Sequence, residues 1–259
     1  MNQNTYNNVP GDYMEKKPGV AYGEVKTEMF YSTTVGKERE VTIALPPNYT
    51  AEKKYPVVYL CHGLGQDNHQ WEYEGKVDAV LGNLLAAGEA KEMIFVLANC
   101  RARMDDAGNP VDEFSHSNFQ AFNNFYNEFT VDLQPYVEKN YSVKTGRENT
   151  AIAGFSMGGR TALYLGLGMQ EKFGYVGAFC PAPGEFTYTR NGLTEKGLFE
   201  REDFRVKDEY KGQSVVMITA GDDDVVVGEH PYSYHEQLTV NGTEHIWFTL
   251  PGGHDFNVV

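Results

Sequence analysis

Cysteine is scarce: the 259 residues contain only Cys61, Cys100 and Cys180. An odd count this low excludes a disulfide framework, and the absence of a CxxC pair argues against a zinc knuckle. Each cysteine closes an apolar run, so buried free thiols are expected. No apolar run reaches the roughly 18 residues of a membrane-spanning helix. Positive charge is also short, with 22 Lys and Arg against 36 Asp and Glu, a formal charge of −14. Nucleic acid and anionic membranes select a basic face, so neither is expected as a main partner. The amino-terminal stretch MNQNTYNNVPGDYMEKKPG is polar and lacks an apolar core segment, so it does not read as a signal peptide. The compartment stays open between cytoplasm and exterior. Sequons at Asn48, Asn140 and Asn241 carry meaning only in a glycosylating pathway.

What remains is an ordinary globular composition, 41% hydrophobic and 22% charged, enough to bury a sizeable core. Residues 1–19 read as a loose lead-in and 20–259 as one domain. Two β-rich runs between Val20 and Pro46, split at Thr34–Lys37, predict a hairpin. Beyond Pro47 short apolar runs alternate with helical stretches. The runs are Val57–Cys61, Met93–Ala98, Ala151–Gly154, Val176–Phe179, Val215–Ala220 and Ile246–Leu250. Most are continuously apolar, the pattern of parallel strands covered on both faces. Helical spacing marks Val77–Leu85, an aromatic stripe from Phe119 to Tyr136, Met157–Gly168 and Pro231–Val240. Pro135 should bend or shorten the second of these. The expected class is α/β: a doubly wound, mostly parallel sheet behind an antiparallel hairpin. The aperiodic stretch 181–212 is long enough to be a functional loop or small cap.

The most informative segment is Ala151-Ile-Ala-Gly-Phe-Ser-Met-Gly-Gly-Arg160. Its Gly154-x-Ser156-x-Gly158 falls between a predicted strand and a predicted helix. Such a turn presents the serine in a strained conformation above a helix amino terminus, whose free N–H groups favour an oxyanion. A serine hydroxyl needs a histidine base, itself oriented by a carboxylate, in the chain order Ser, acid, His. His254 follows the strand Ile246–Leu250 in a glycine-rich turn. His245 precedes that strand, and His230 and His235 fall on a helix, so His254 is assigned as the base. His62 lies too early in the chain for that role and reads as structural. The acid should follow Val215–Ala220, where Asp222, Asp223 and Asp224 stand side by side; position alone does not choose among them. They match no calcium loop. Two oxyanion donors are expected: the N–H of Met157, and that of Leu64 in the loop Cys61-His-Gly-Leu-Gly65.

The set HGLG, GFSMGG, AGDDD and GGHDFNV resembles the esterase-D-like branch of the α/β-hydrolases. It is closest to the feruloyl and acetylxylan esterases of carbohydrate esterase family one. The resemblance runs from about Gly19 to the carboxyl end and includes Asp132-Leu-Gln-Pro-Tyr-Val-Glu and Asn140-Tyr-Ser-Val. It implies an α/β-hydrolase fold and a serine esterase acting on acyl groups of plant cell-wall polysaccharide, feruloyl first. It implies no metal and no cofactor. It selects Asp224 as the acid beside Ser156 and His254, with Leu64 and Met157 as oxyanion donors. Acetylxylan esterase and a thioesterase resembling S-formylglutathione hydrolase are the alternatives within the class. A catalytically silent carbohydrate- or partner-binding homologue is the alternative outside it. Trp71, Phe155 and Phe119 are candidates to line an apolar acyl slot. The family pattern continues past its histidine turn into a helix. Here five residues follow His254, so that helix is expected to be absent.

Overall fold

A computed structural model describes residues 11–105, 112–190 and 193–259. The chain divides into two compact units, the boundary falling between Thr145 and Gly146.

The first unit opens with the expected hairpin, β1 (Val25–Ser32) and β2 (Lys37–Ala44), paired antiparallel from Val25↔Ala44 to Ser32↔Lys37. Gly36, at φ +83°, closes the turn by donating its N–H to the Ser32 carbonyl. The buried Asp132 carboxylate holds this turn from outside. It accepts from the Thr33 and Thr34 N–H groups at 2.9 and 3.0 Å and from both threonine hydroxyls. Strand β2 pairs antiparallel with β4 (Ile94–Ala98), which pairs in parallel with β3 (Val57–Cys61). A short helix α1 (Gln70–Tyr73), absent from the sequence expectation, precedes α2 (Val77–Ala87).

The aromatic stripe is helical but composite. Helix α3 (His116–Glu128) is capped by the Ser115 hydroxyl, which accepts from the Asn118 N–H. A π-turn over Phe129–Leu133 then leads into α4 (Gln134–Asn140). Pro135 falls in the first turn of α4, directly after the π-turn, so the α-helical run is interrupted just before the proline. The inserted π-turn lets Phe122, Phe125, Phe129 and Leu133 all stay buried.

Of the lead-in, residues 1–10 lie outside the described set. From Gly11 onward the chain is tied to α2: the Asn83 amide donates to the carbonyls of Tyr13 and Glu15, and Tyr22 donates to Asn83.

The second unit holds four parallel strands in the order β5 (Thr150–Phe155), β6 (Tyr175–Phe179), β9 (Val215–Gly221), β10 (Ile246–Leu250). Helix α5 (Met157–Gly168) follows β5 and is buried along most of its length. Gly166 lets it approach β6 closely, since a Cβ there would sit 2.4 Å from Val176. Helix α6 (His230–Val240) connects β9 to β10. The aperiodic stretch contains a small antiparallel ribbon, β7 (Tyr188–Arg190) and β8 (Leu193–Glu195), and two short 3-10 turns. Mostly parallel strands, alternating helices and a leading hairpin are the class expected from the sequence. Among the described residues no helix is long and apolar enough to cross a membrane.

Candidate active site

Ser156 sits between β5 and α5 at φ 57°, ψ −118°. An L-residue rarely adopts this conformation, which costs on the order of 1–3 kcal/mol unless the surroundings impose it. Three backbone bonds impose it here. The Ser156 N–H donates to Phe179 at 2.9 Å, and its carbonyl accepts from Arg160 and Ala182 at 3.0 Å each. The turn is also tight at Gly159, where a Cβ would meet the carbonyls of Gly154 and Phe179 at 3.1 Å.

The histidine and acid turns are laced together by their backbones. Asp222 N–H donates to the Leu250 carbonyl and Asp223 N–H to that of Gly252, at 2.8 and 2.9 Å. A Cβ on Gly221 would stand 2.5 Å from the carbonyl oxygens of both Gly252 and Gly253, so only glycine lets the two turns close. This lacing leaves Asp222 and Asp223 exposed and turns Asp224 inward. Asp224 Oδ2 meets His254 Nδ1 at 2.7 Å, and Oδ1 accepts from the Val226 and Val227 N–H groups. His254 Nε2 in turn stands 2.8 Å from Ser156 Oγ. With Nδ1–H donated to the carboxylate, Nε2 is left as an acceptor facing the serine hydroxyl. The structure therefore gathers Ser156, Asp224 and His254 into one hydrogen-bonded chain.

Phe155 packs its ring 4.7 Å from that of His254 and 5.1 Å from Phe256, holding the imidazole from one side. Met157 is the first residue of α5, so its N–H belongs to the free amino terminus of that helix. Leu64 is half-buried in the turn after β3. Trp71 is buried and donates its indole N–H to the Cys61 carbonyl, and Phe119 is half-buried on α3. His62 is buried, with its ring nitrogens on the Gly63 carbonyl and the Asn99 side chain, a structural setting. His235 and His245 bond to each other at 2.7 Å, apart from this chain of groups.

Cys180 is a buried free thiol, as expected from the sequence. Its sulfur, the Asp224 carboxylate and the His254 imidazole have atoms within 4.8 Å of one another. Asp224 and His254 are already committed to each other, and burial pushes the Cys180 thiol up to about 12, so it stays protonated and a poor metal ligand. A cavity of about 520 Å³ lies beside the acid turn, bounded by Val225–Gly228, Thr187, Thr189, Arg201 and His230.

A serine on a strained strand–helix turn, hydrogen-bonded to a carboxylate-bound histidine at the ends of parallel strands, is the arrangement expected of a hydrolase of the α/β type. Residues 32–246 match the model of the Esterase family, described as "Putative esterase", and the chain belongs to that family. It is a carboxylic ester hydrolase. The fold superposes with a TM-score of 0.88 on a CE1 ferulic acid esterase, AmCE1/Fae1A of Anaeromyces mucronatus, solved in complex with ferulic acid. Identity is 42%, over 96% of this chain and 90% of that one. The chain is also 29% identical over 171 residues to an endo-1,4-beta-xylanase/feruloyl esterase of Xylanibacter ruminicola. That match takes in 64% of this chain but only 23% of the relative. S-formylglutathione hydrolase of Staphylococcus aureus shares the fold, with a TM-score of 0.63 at 16% identity over 94% of each chain.

Proposed function

We propose that the protein is a feruloyl esterase that releases hydroxycinnamoyl groups esterified to plant cell-wall polysaccharide, through a serine-linked acyl-enzyme. The observation that carries the reading is the hydrogen-bonded run from Ser156 Oγ through His254 to Asp224, at 2.8 and 2.7 Å. His254 takes the Ser156 proton as Oγ attacks the ester carbonyl, and Asp224 stabilises the imidazolium that forms. His254 then gives the proton to the departing sugar alcohol. Water, deprotonated by the same imidazole, cleaves the acyl-enzyme. The N–H of Met157, at the amino terminus of α5, is assigned to the oxyanion, worth about 3–4 kcal/mol in the transition state.

The 42% identity with a relative solved with ferulic acid supports the acyl group. Phe155, in contact with His254, is the best-placed of the aromatic slot candidates. The cavity beside the acid turn, with Thr187, Thr189 and Arg201 on its wall, suits the hydroxyl-rich alcohol side of such an ester. The test is product release from methyl ferulate, acetylated xylan and a formyl-glutathione thioester, run with wild type and Ser156→Ala. Ferulate release that disappears in the variant supports the proposal. Acetate or thiol release in its place moves the substrate to an alternative. Equal activity in both proteins contradicts the role of Ser156.

A further inference from the structure

The segment after β6 braces the nucleophile. Ala182 donates its N–H to the Ser156 carbonyl at 3.0 Å, and its own carbonyl accepts from the Tyr234 hydroxyl of α6 at 2.9 Å. Two residues further, Gly184 (φ +124°) lies against Arg160 of α5, where a Cβ would sit 2.5 Å from Nε. Next comes Glu185. It is wholly buried, its N–H points to the Tyr234 hydroxyl at 3.4 Å, and its carbonyl accepts from Phe199. Both carboxyl oxygens are buried with no hydrogen-bond partner. Among the described residues, the titratable and charged groups at this corner are Arg160 from α5 and Tyr234 from α6, with His230 packed against the Tyr234 ring. Arg201 adds a fourth, its guanidinium 4.4 Å over the Phe186 ring.

A carboxylate without donors in such a place loses several kcal/mol of solvation. Arg160 attracts it without bonding it, and desolvation dominates, pushing the Glu185 carboxyl up to about 8. The group is therefore a neutral acid at neutral pH. Nothing in the ester-cleaving reaction uses it, yet it sits three residues from the N–H that holds Ser156.

We propose that Glu185 is a positioning residue for Ser156: un-ionised, it keeps the Pro181–Phe186 segment packed, and its ionisation draws Ala182 away from the Ser156 carbonyl and slows acyl transfer. This rests on Ser156 being the nucleophile. New charge beside Arg160 and Gly184 reorganises a segment that joins α5, α6 and the strained turn, so kcat falls while KM holds.

The experiment is a pH profile of kcat and KM on methyl ferulate for wild type, Glu185→Gln and Ser156→Ala. Infrared titration of the protonated-carboxyl stretch accompanies it. With the acid form active and the ionised form inactive, wild-type kcat drops about tenfold from pH 7 to 9. Glu185→Gln stays within about twofold of its own pH 7 value over the same range, since an amide does not ionise. Wild type and Ser156→Ala both show one carboxyl band that titrates near pH 8, missing in Glu185→Gln. Absence of that band at pH 7, or the same alkaline loss in Glu185→Gln, overturns the proposal. If Glu185→Gln does not fold, wild type decides: coincident midpoints for the band and for kcat support it, and separate midpoints overturn it. Activity in Ser156→Ala would instead remove the catalytic reading and leave the carboxyl titration standing.

Discussion

Asp224 holds His254 with one oxygen, at 2.7 Å from Nδ1, and is itself held by the other, which accepts from two backbone N–H groups. The carboxylate thus cannot swing without breaking three bonds, and the imidazole keeps Nε2 turned to Ser156. Asp224→Asn preserves the shape but places an amide where the acceptor was, favouring the wrong imidazole tautomer. We expect kcat on methyl ferulate to fall about 10⁴-fold with little change in melting temperature. A loss under tenfold would contradict the role given to Asp224.

Its neighbours serve as a control. Asp222 and Asp223 are exposed, and only their backbones lace the two turns. Asp222→Ala and Asp223→Ala keep those backbone bonds, so steady-state kcat/KM should stay within about twofold of wild type, in keeping with surface substitutions generally.

Gly221 faces the histidine turn with no room for a side chain: a Cβ there would stand 2.5 Å from the carbonyl oxygens of Gly252 and Gly253. In Gly221→Ala the new methyl meets two carbonyl oxygens that cannot retreat independently. Overpacking of this kind costs about 1–3 kcal/mol. Thermal unfolding should show the lower midpoint, and kcat should fall further than stability alone explains, because the displaced turn carries His254.

Glu185 makes stability fall with rising pH. Below the ordinary glutamate range folded and unfolded chains are both protonated there. Between roughly pH 4 and 8 the unfolded chain ionises while the folded one does not, so protons are bound more tightly by the native state and stability declines. The contribution, on the order of a few kcal/mol, is spent once pH passes about 8. Denaturant midpoints measured across this window should decline more steeply for wild type than for Glu185→Gln. Parallel slopes would show that Glu185 ionises normally in the folded protein.

The elbow and the histidine turn were legible because short apolar strands followed by glycine-rich turns fix where a side chain can emerge. Ser156 stands directly after such a strand, and His254 stands in the glycine-rich turn that follows another. Choosing among three adjacent aspartates is different. Strand periodicity ends at Gly221, and what turns Asp224 inward is the pairing of two distant turns, which no local pattern encodes. The phenylalanine stripe announced a helix but not its π-turn, since a stripe of buried aromatics reads alike with or without one inserted residue. The ribbon of β7 and β8 has strands too short for alternation to register. Glu185, in Pro-Gly-Glu-Phe, looks like any solvated loop acid until its burial is seen.

Whether Ser156 carries the acyl group can be read by rapid quenching. Wild-type enzyme mixed with excess methyl ferulate and stopped in acid within one turnover would be digested and mapped by mass spectrometry. A feruloyl adduct is expected on the peptide containing Ser156, absent in Ser156→Ala. A feruloyl adduct on another residue, or turnover by Ser156→Ala at the wild-type rate, would contradict it.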